Sequence, residues 1–282
     1  MNGPLPVVRS VVDLRARIAG WREEGASVGL VPTMGALHEG HLSLVQASLE
    51  ANARTCVTLF VNPKQFGEGE DFGAYPRDER TDAGALGELG ADLLYAPDIH
   101  EMYPEDSVTA VTVPDLGDWL EGEFRPGFFT GVATVVTKLL LQALPDTAYF
   151  GEKDYQQLCL VRRLVADLDI PVAIHGSPIV RKESGLALSS RNAYLSEEQL
   201  AIAPAFPEAL ARAASAIRNG DDIAGATGAA EAEILDAGFA KVDYVAARDA
   251  ASLEPAETFD GNLRLLGAAW LGEVRLIDNL AV

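Results

Sequence analysis

Short apolar runs closed by Pro, Gly or Asn alternate with helix-like segments through the first two thirds of the chain, the pattern of a mostly parallel α/β sheet. Strands are predicted at residues 27–32 (SVGLVP), 55–62 (TCVTLFVN), 92–96 (DLLYA), 147–150 (TAYF) and 171–175 (PVAIH). Ser10 followed by Asp13 is a start signal for a helix running to Glu24. Residues 131–144 (GVATVVTKLLLQAL) are apolar on nearly every side apart from Lys138 and Gln142, which predicts a helix packed between layers.

After Pro178 the texture changes. Ala-rich helical stretches over 196–237 give way to two strand-like runs, 241–247 (KVDYVAA) and 263–277 (LRLLGAAWLGEVRLI), the order expected of a separate α+β unit. The expected architecture is therefore an α/β domain with a mostly parallel sheet over 1–179 and a smaller α+β C-terminal domain over 180–282.

Composition narrows the function classes. With 282 residues, 48% hydrophobic and 23% charged, the chain has ordinary globular usage. Its 42 acidic against 22 basic residues give a net charge of −20, which disfavours nucleic acid and anionic membrane surfaces as partners. Cys56 and Cys159 have no ligand spacing and read as buried reduced thiols. The N-terminus lacks a targeting pattern, and no window reads as the ~18 to 20 apolar residues of a membrane span, so a cytoplasmic location is expected.

The chemistry gathers at predicted strand ends. The first strand leads into VPTMGALHEGH and then a helix, a turn that offers backbone N–H groups and a positive helix end to a phosphate. Neither G-x-G-x-x-G nor G-x-x-x-x-G-K-[ST] is present, so a dinucleotide fold and a P-loop are poorly supported. Two of the chain's four histidines, His38 and His41, flank Gly40 in H-E-G-H. They face one ligand if the helix starts there; zinc is disfavoured because no Cys lies nearby. The next strand delivers Asn62 and Gln65, uncharged amides suited to a hydroxylated substrate, at the carboxyl edge where open α/β sheets bind ligands. After TAYF come Gly151, Glu152, Lys153 and Asp154, with Gln157 on the following helical turn and Lys153 as a point charge for phosphate. A polar loop further on carries Ser189, Ser190 and Arg191, hydroxyls plus a guanidinium that suit phosphate oxygens.

H-x-G-H after a first strand resembles the nucleotidyltransferase superfamily, which includes class I aminoacyl-tRNA synthetases and adenylyl transferases, and whose histidines stabilise charge as an α-phosphate is attacked. The Ser189–Ser190–Arg191 loop resembles that superfamily's mobile K-M-S-K-S-type element. Taken in order, PTMGALHEGH, FVNPKQF, YPR, RPGFFTGV, YFGEKDYQQL and GLALSSRN resemble the signature blocks of the pantothenate synthetase family over roughly residues 30–195.

The resemblance implies a Rossmann-like nucleotidyltransferase domain, a smaller domain that covers the site, a homodimer, and ATP with Mg²⁺. It implies ligation of (R)-pantoate to β-alanine through a pantoyl-adenylate. Met34, Gly35, Ala36, Leu37, His38, Glu39, Gly40 and His41 would line the adenine and phosphate pocket, with His41 the principal catalytic histidine and His38 beside it. Gln65 and Gln157 would hold pantoate. Gly151, Glu152, Lys153 and Asp154 would complete the ATP site, Lys153 on the phosphates. Val180, Leu188, Ser189, Ser190 and Arg191 would close over the nucleotide, and Asp82 falls in the magnesium region. Phe128 stands where the family usually has histidine, Ser184 where aspartate is common, and Lys64 at a usually uncharged position. Two rival readings are another H-x-G-H adenylyl transferase and a non-catalytic nucleotide sensor.

Overall fold

The computed structural model describes residues 4–67, 72–73 and 75–282. The chain divides into two compact units, the first running to Glu152 and resuming over Leu160–Pro178, the second comprising Lys153–Cys159 and Ile179–Val282.

In the first unit the chain runs β1 (Val7–Val8), α1 (Val11–Glu23), β2 (Val28–Thr33), α2 (Glu39–Ala51) and β3 (Arg54–Leu59). It continues through a 3₁₀ turn (Pro63–Gln65), α3 (Glu79–Leu89), β4 (Leu93–Tyr95), α4 (Ile99–Met102), α5 (Glu121–Phe124), α6 (Phe128–Ala143) and β5 (Thr147–Gly151). A second 3₁₀ turn (Glu152–Asp154) opens α7 (Tyr155–Asp167), whose later turns return to this unit before β6 (Ala173–Ser177).

The six strands form one parallel sheet in the order β1-β4-β3-β2-β5-β6. Right-handed crossovers set the layers: β1→β2 and β4→β5 step one way along the sheet, β2→β3 and β3→β4 the other. Accordingly α1 packs on α6, and α2 packs on α3. Between sheet and α2–α3 lies a core of Val31, Val45, Val57, Leu86, Leu94 and Tyr149. Ser10 caps α1 as predicted: its hydroxyl accepts the Asp13 N–H at 3.1 Å and donates to the Asp13 carboxylate at 2.7 Å.

Strand β2 is where successive connections reverse direction, the switch point at which such sheets bind ligands. Its ladder with β3 persists to Thr33 opposite Leu59, whereas its ladder with β5 stops at Leu30 opposite Ala148. Pro32, which has no N–H to donate, lies beyond that stop. The two strands cease to pair before their carboxyl ends.

The second unit contains a 3₁₀ turn (Ser190–Tyr194), α8 (Glu197–Ile202), α9 (Ala205–Arg218), α10 (Ile223–Asp236) and the antiparallel strands β7 (Lys241–Asp249), β8 (Leu263–Leu271) and β9 (Val274–Ala281). The run 263–277, read as one strand from its hydrophobicity, is a hairpin: Gly272, at φ +60°, turns the chain between β8 and β9. Residues Glu197–Arg218 hold an 18-residue window of mean hydropathy 1.2, enough by length and composition alone to span a membrane, but the run is two helices. Pro204 separates α8 from α9, and Phe206, Leu210, Ala214 and Ile217 of α9 sit in a core with Ile234, Leu265 and Leu276.

Candidate active site

The loop leaving β2 is held by β3 and by α3. Thr33 donates its hydroxyl to the Thr58 carbonyl at 2.7 Å, tying the end of β2 to β3. Gly35 at φ +88° and Ala36 at φ +52° then turn the chain in the left-handed region, where a residue with a Cβ is strained. Asp82 of α3 holds this conformation: its buried carboxylate accepts the N–H of Ala36 at 3.0 Å and of Leu37 at 2.9 Å. Met34, Leu37 and His38 are half-buried along the loop, and Glu39 is exposed.

His38 is the N-cap of α2, a position usually taken by Ser, Thr, Asp or Asn. Its Nδ1 accepts the Gly40 N–H at 3.1 Å, and Nδ1 of His41 accepts the His38 N–H at 3.4 Å. Each imidazole that accepts at Nδ1 carries its proton on Nε2. The rings lie 4.1 Å apart at the positive end of a 13-residue helix. The capping geometry thus makes both histidines Nε2–H donors beside the backbone of the first turn.

The second strand end is built around Asn62. Its side chain is buried and uses all of its hydrogen-bonding capacity within the protein: Nδ2 donates to the Gly131 carbonyl (3.1 Å) and Gln65 Oε1 (3.0 Å), and Oδ1 accepts from the Lys64 N–H (3.2 Å) and the Tyr103 hydroxyl (2.9 Å). Gln65 is half-buried and points Nε2 at Met34 Sδ, 3.0 Å away, which brings its amide to the loop that carries the histidines. Helix α6 approaches this turn so closely that a Cβ on Gly131 would stand 2.1 Å from the Lys64 carbonyl oxygen.

Two departures from the family pattern acquire physical roles. The Arg125 guanidinium lies 3.8 Å over the Phe128 ring, a cation–π contact, and donates to the Gln65 carbonyl at 3.3 Å. Lys64 places its ammonium 4.4 Å over the Tyr103 ring. Ser184 is exposed, and nothing in its surroundings explains it.

Gly151 and Glu152 close the first unit's share of these residues, half-buried at the end of β5. The second unit holds the rest. Lys153 and Asp154 lie in the 3₁₀ turn before α7, and Gln157 is half-buried on the first turn of that helix. Asn279 of β9, almost fully buried, donates Nδ2 to the Lys153 carbonyl at 2.9 Å and accepts from Arg264 Nε at 2.7 Å. Its neighbour Asp278 forms a two-pronged ion pair with Arg181 at 2.6 and 2.8 Å, which holds that guanidinium's pKa above its ordinary value. Val180 and Leu188 belong to a short antiparallel turn joined by the Leu188 N–H to the Val180 carbonyl. Ser189 caps the following 3₁₀ turn by accepting the Arg191 N–H at 3.3 Å, with Ser190 between them.

Neither cysteine enters this arrangement. Cys56 and Cys159 are buried and form no disulfide, and burial pushes Cys56 up to about 12. Among the described residues no three His, Cys, Asp or Glu side chains gather in a metal-sized group, and each Asp82 oxygen accepts one backbone N–H.

Tyr103, Gly131, Asp278 and Asn279 are absent from the sequence reading of the site. Tyr103 lies 41 residues from Asn62, Gly131 69 residues from it, and Asn279 126 from Lys153, so no local pattern links them.

The family model described as pantoate-beta-alanine ligase matches residues 6–281. The chain is 57% identical to the pantothenate synthetase of Paramagnetospirillum magneticum, over 100% of this chain and 99% of that protein. It is 54% identical to that of Rhizorhabdus wittichii, over 99% of each. The crystal structure of pantothenate synthetase from Thermus thermophilus superposes with a TM-score of 0.93 at 45% identity, covering 98% of this chain and 99% of that one. The Francisella tularensis pantoate-beta-alanine ligase, complexed with beta-gamma ATP and beta-alanine, does so at 0.82 and 33% identity, over 98% and 97%. Sequence blocks, sheet order and whole-length similarity agree, and the chain belongs to the pantoate–β-alanine ligase (pantothenate synthetase) family.

Proposed function

We propose that this chain joins (R)-pantoate to β-alanine at the expense of ATP, by way of pantoyl-adenylate. The observation that carries the reading is the pair of Nδ1-accepting imidazoles, His38 and His41, at the start of α2, with the Gln65 amide held against the same loop through Met34.

A carboxylate is a poor acyl electrophile, so it must first be activated. A pantoate carboxylate oxygen attacks the α-phosphorus of ATP; the bond to the bridging oxygen breaks and pyrophosphate leaves. Little covalent work falls to the protein, which positions the reactants and stabilises charge. The loop from Met34 to His41 presents the Nε2–H groups of His38 and His41, at the positive end of α2, to the α-phosphoryl oxygens, with Gly151 and Glu152 extending that surface. Lys153 and Arg191 supply positive charge to the phosphates, supported by Asp154, Val180, Leu188, Ser189 and Ser190 around the nucleotide. Gln65 and Gln157 hold pantoate, and Asn62 acts on it through Gln65. The β-alanine amine then attacks the acyl carbon, the bond to AMP breaks, and the amide forms as the amine loses its proton.

Mg²⁺ carried on the nucleotide would neutralise the departing pyrophosphate, and Asp82 braces the loop that receives it. We assign the nucleotide-binding loop and the sheet crevice to residues 1–179 and a covering role to residues 180–282, in a cytoplasmic homodimer; these follow from the family resemblance. The test is direct. Incubation with ATP, pantoate and β-alanine should yield AMP and pantothenate in equal amounts by mass spectrometry, and ATP–pyrophosphate exchange should require pantoate alone. AMP release without pantothenate, or exchange without pantoate, overturns the reading.

A further inference from the structure

The hydrogen bonds around Asn62 have a definite direction, imposed by groups that cannot change their polarity. The Lys64 backbone N–H can only donate, so the Asn62 atom it meets at 3.2 Å must be oxygen. The Gly131 backbone carbonyl can only accept, so the atom 3.1 Å from it must be the Asn62 NH₂ group. These two backbone contacts set the polarity of the Asn62 amide, and its remaining partners hold it in place. The second hydrogen of that NH₂ group meets Gln65 at 3.0 Å, and the atom it meets must accept. Gln65 therefore turns Oε1 inward and Nε2 outward.

Tyr103 completes the relay. Its hydroxyl lies 2.9 Å from Asn62 Oδ1, whose other lone pair is taken by Lys64, so it must donate. Burial raises the phenol to about 12, which keeps that proton in place throughout the neutral range. Tyr103 is 8% exposed and Asn62 1%, so both partners of this bond are buried.

What the relay delivers is a committed donor. Among the described residues the outward Nε2 of Gln65 has one hydrogen-bond partner, the thioether of Met34, and sulfur is a weak acceptor. A donor held in place with a poor partner gains from an oxygen acceptor that takes its place. We infer that Tyr103, acting through Asn62, is a positioning residue that locks the Gln65 amide as a hydrogen-bond donor and so selects an acid substrate presenting an acceptor oxygen at this point. The inference rests on the assignment of Gln65 to pantoate, and its test separates the two.

The experiment is steady-state kinetics on the full chain with each substrate varied in turn, for Tyr103→Phe, Gln65→Ala, Gln65→Glu and the Tyr103→Phe/Gln65→Ala double variant. Tyr103→Phe keeps the ring beneath Lys64 and removes only the donor. It should raise the pantoate KM by ~10-fold, the scale of one unsatisfied buried acceptor, and leave the ATP and β-alanine KM values alone. In the Gln65→Ala background the same substitution should have no further effect on pantoate, because the group it positions is gone. Gln65→Glu, an acceptor where the relay demands a donor, should raise the pantoate KM beyond Gln65→Ala.

A uniform change in all three KM values for Tyr103→Phe, or additivity with Gln65→Ala, overturns the relay while leaving Gln65 on pantoate. A Gln65→Glu enzyme that binds pantoate like wild type overturns the donor assignment. An unchanged pantoate KM in Gln65→Ala removes Gln65 from the substrate and the inference with it.

Discussion

Asp82 accepts the backbone N–H of Leu37 at 2.9 Å from a helix 45 residues further along the chain. The bond stabilises a loop whose two preceding residues have positive φ, and the second carboxylate oxygen does the same for Ala36. Replacing Asp82 by Ala strands both donors. The variant should lose about 1–3 kcal/mol of stability in urea titrations and bind ATP at least ~10-fold more weakly. Asp82→Asn retains only one acceptor oxygen and should fall between. Wild-type ATP affinity in Asp82→Ala would show that the loop holds its conformation without the brace.

His41 and His38 share one capping geometry and should separate in their effects. His41→Ala removes an Nε2–H donor and should reduce pantoate-dependent ATP–pyrophosphate exchange by roughly 10²–10³-fold, the scale of losing one oxyanion donor. His38→Ala removes a donor and the cap on the Gly40 N–H, so it should also cost about 1 kcal/mol of stability. His38→Asn restores a cap without an imidazole. It should recover stability in thermal melts while exchange stays impaired.

Asn279 donates to the Lys153 backbone carbonyl, which makes its substitution a test of positioning. In Asn279→Ala the lysine keeps its charge and loses its anchor. The expected result is a kcat lower by ~10-fold or more with pantoate KM unchanged, since small misplacements of a charge-stabilising group are expensive. Wild-type kcat would assign the contact to packing alone.

The second unit should weaken in acid through Asp243. Burial by itself would raise this carboxyl, but hydrogen bonds from Lys241, Arg275 and Trp270 outweigh burial and hold its pKa below the ordinary 3.8. A depressed carboxyl contributes its full stability above the unfolded pKa and loses it as pH falls through the folded value. Unfolding monitored by Trp fluorescence should therefore show an acid limb below pH 3.8. Asp243→Ala should flatten that limb and, by removing the carboxylate that faces the nearly buried Arg275, destabilise the protein at neutral pH by about 3 kcal/mol.

The linear chain determined the fold class and most of the chemistry, because those depend on short-range patterns. Alternating apolar runs specify strands and helices locally, and the HEGH, GEKD and SSR blocks announce themselves since each is contiguous and ends a predicted strand or opens a polar loop. The Ser10 cap was legible for the same reason. The two-residue strand β1 and the β8–β9 hairpin were not: the first is too short to show a period, and the second hides its turn, Gly272–Glu273, inside a run that stays apolar on both sides.

Only the tertiary structure decided what the site residues do to one another. Asn62, a substrate amide or a turn residue by its sequence, and Asp82, in the magnesium region by resemblance, both make hydrogen bonds within the fold that no local pattern announces. The orientation of Gln65 depends on the Gly131 carbonyl and the Tyr103 hydroxyl, and Lys153 is anchored from the last strand of the chain. Hydrogen-bond polarity is a property of who meets whom in space. Residue identity limits it to donor, acceptor or either, and folding makes the choice.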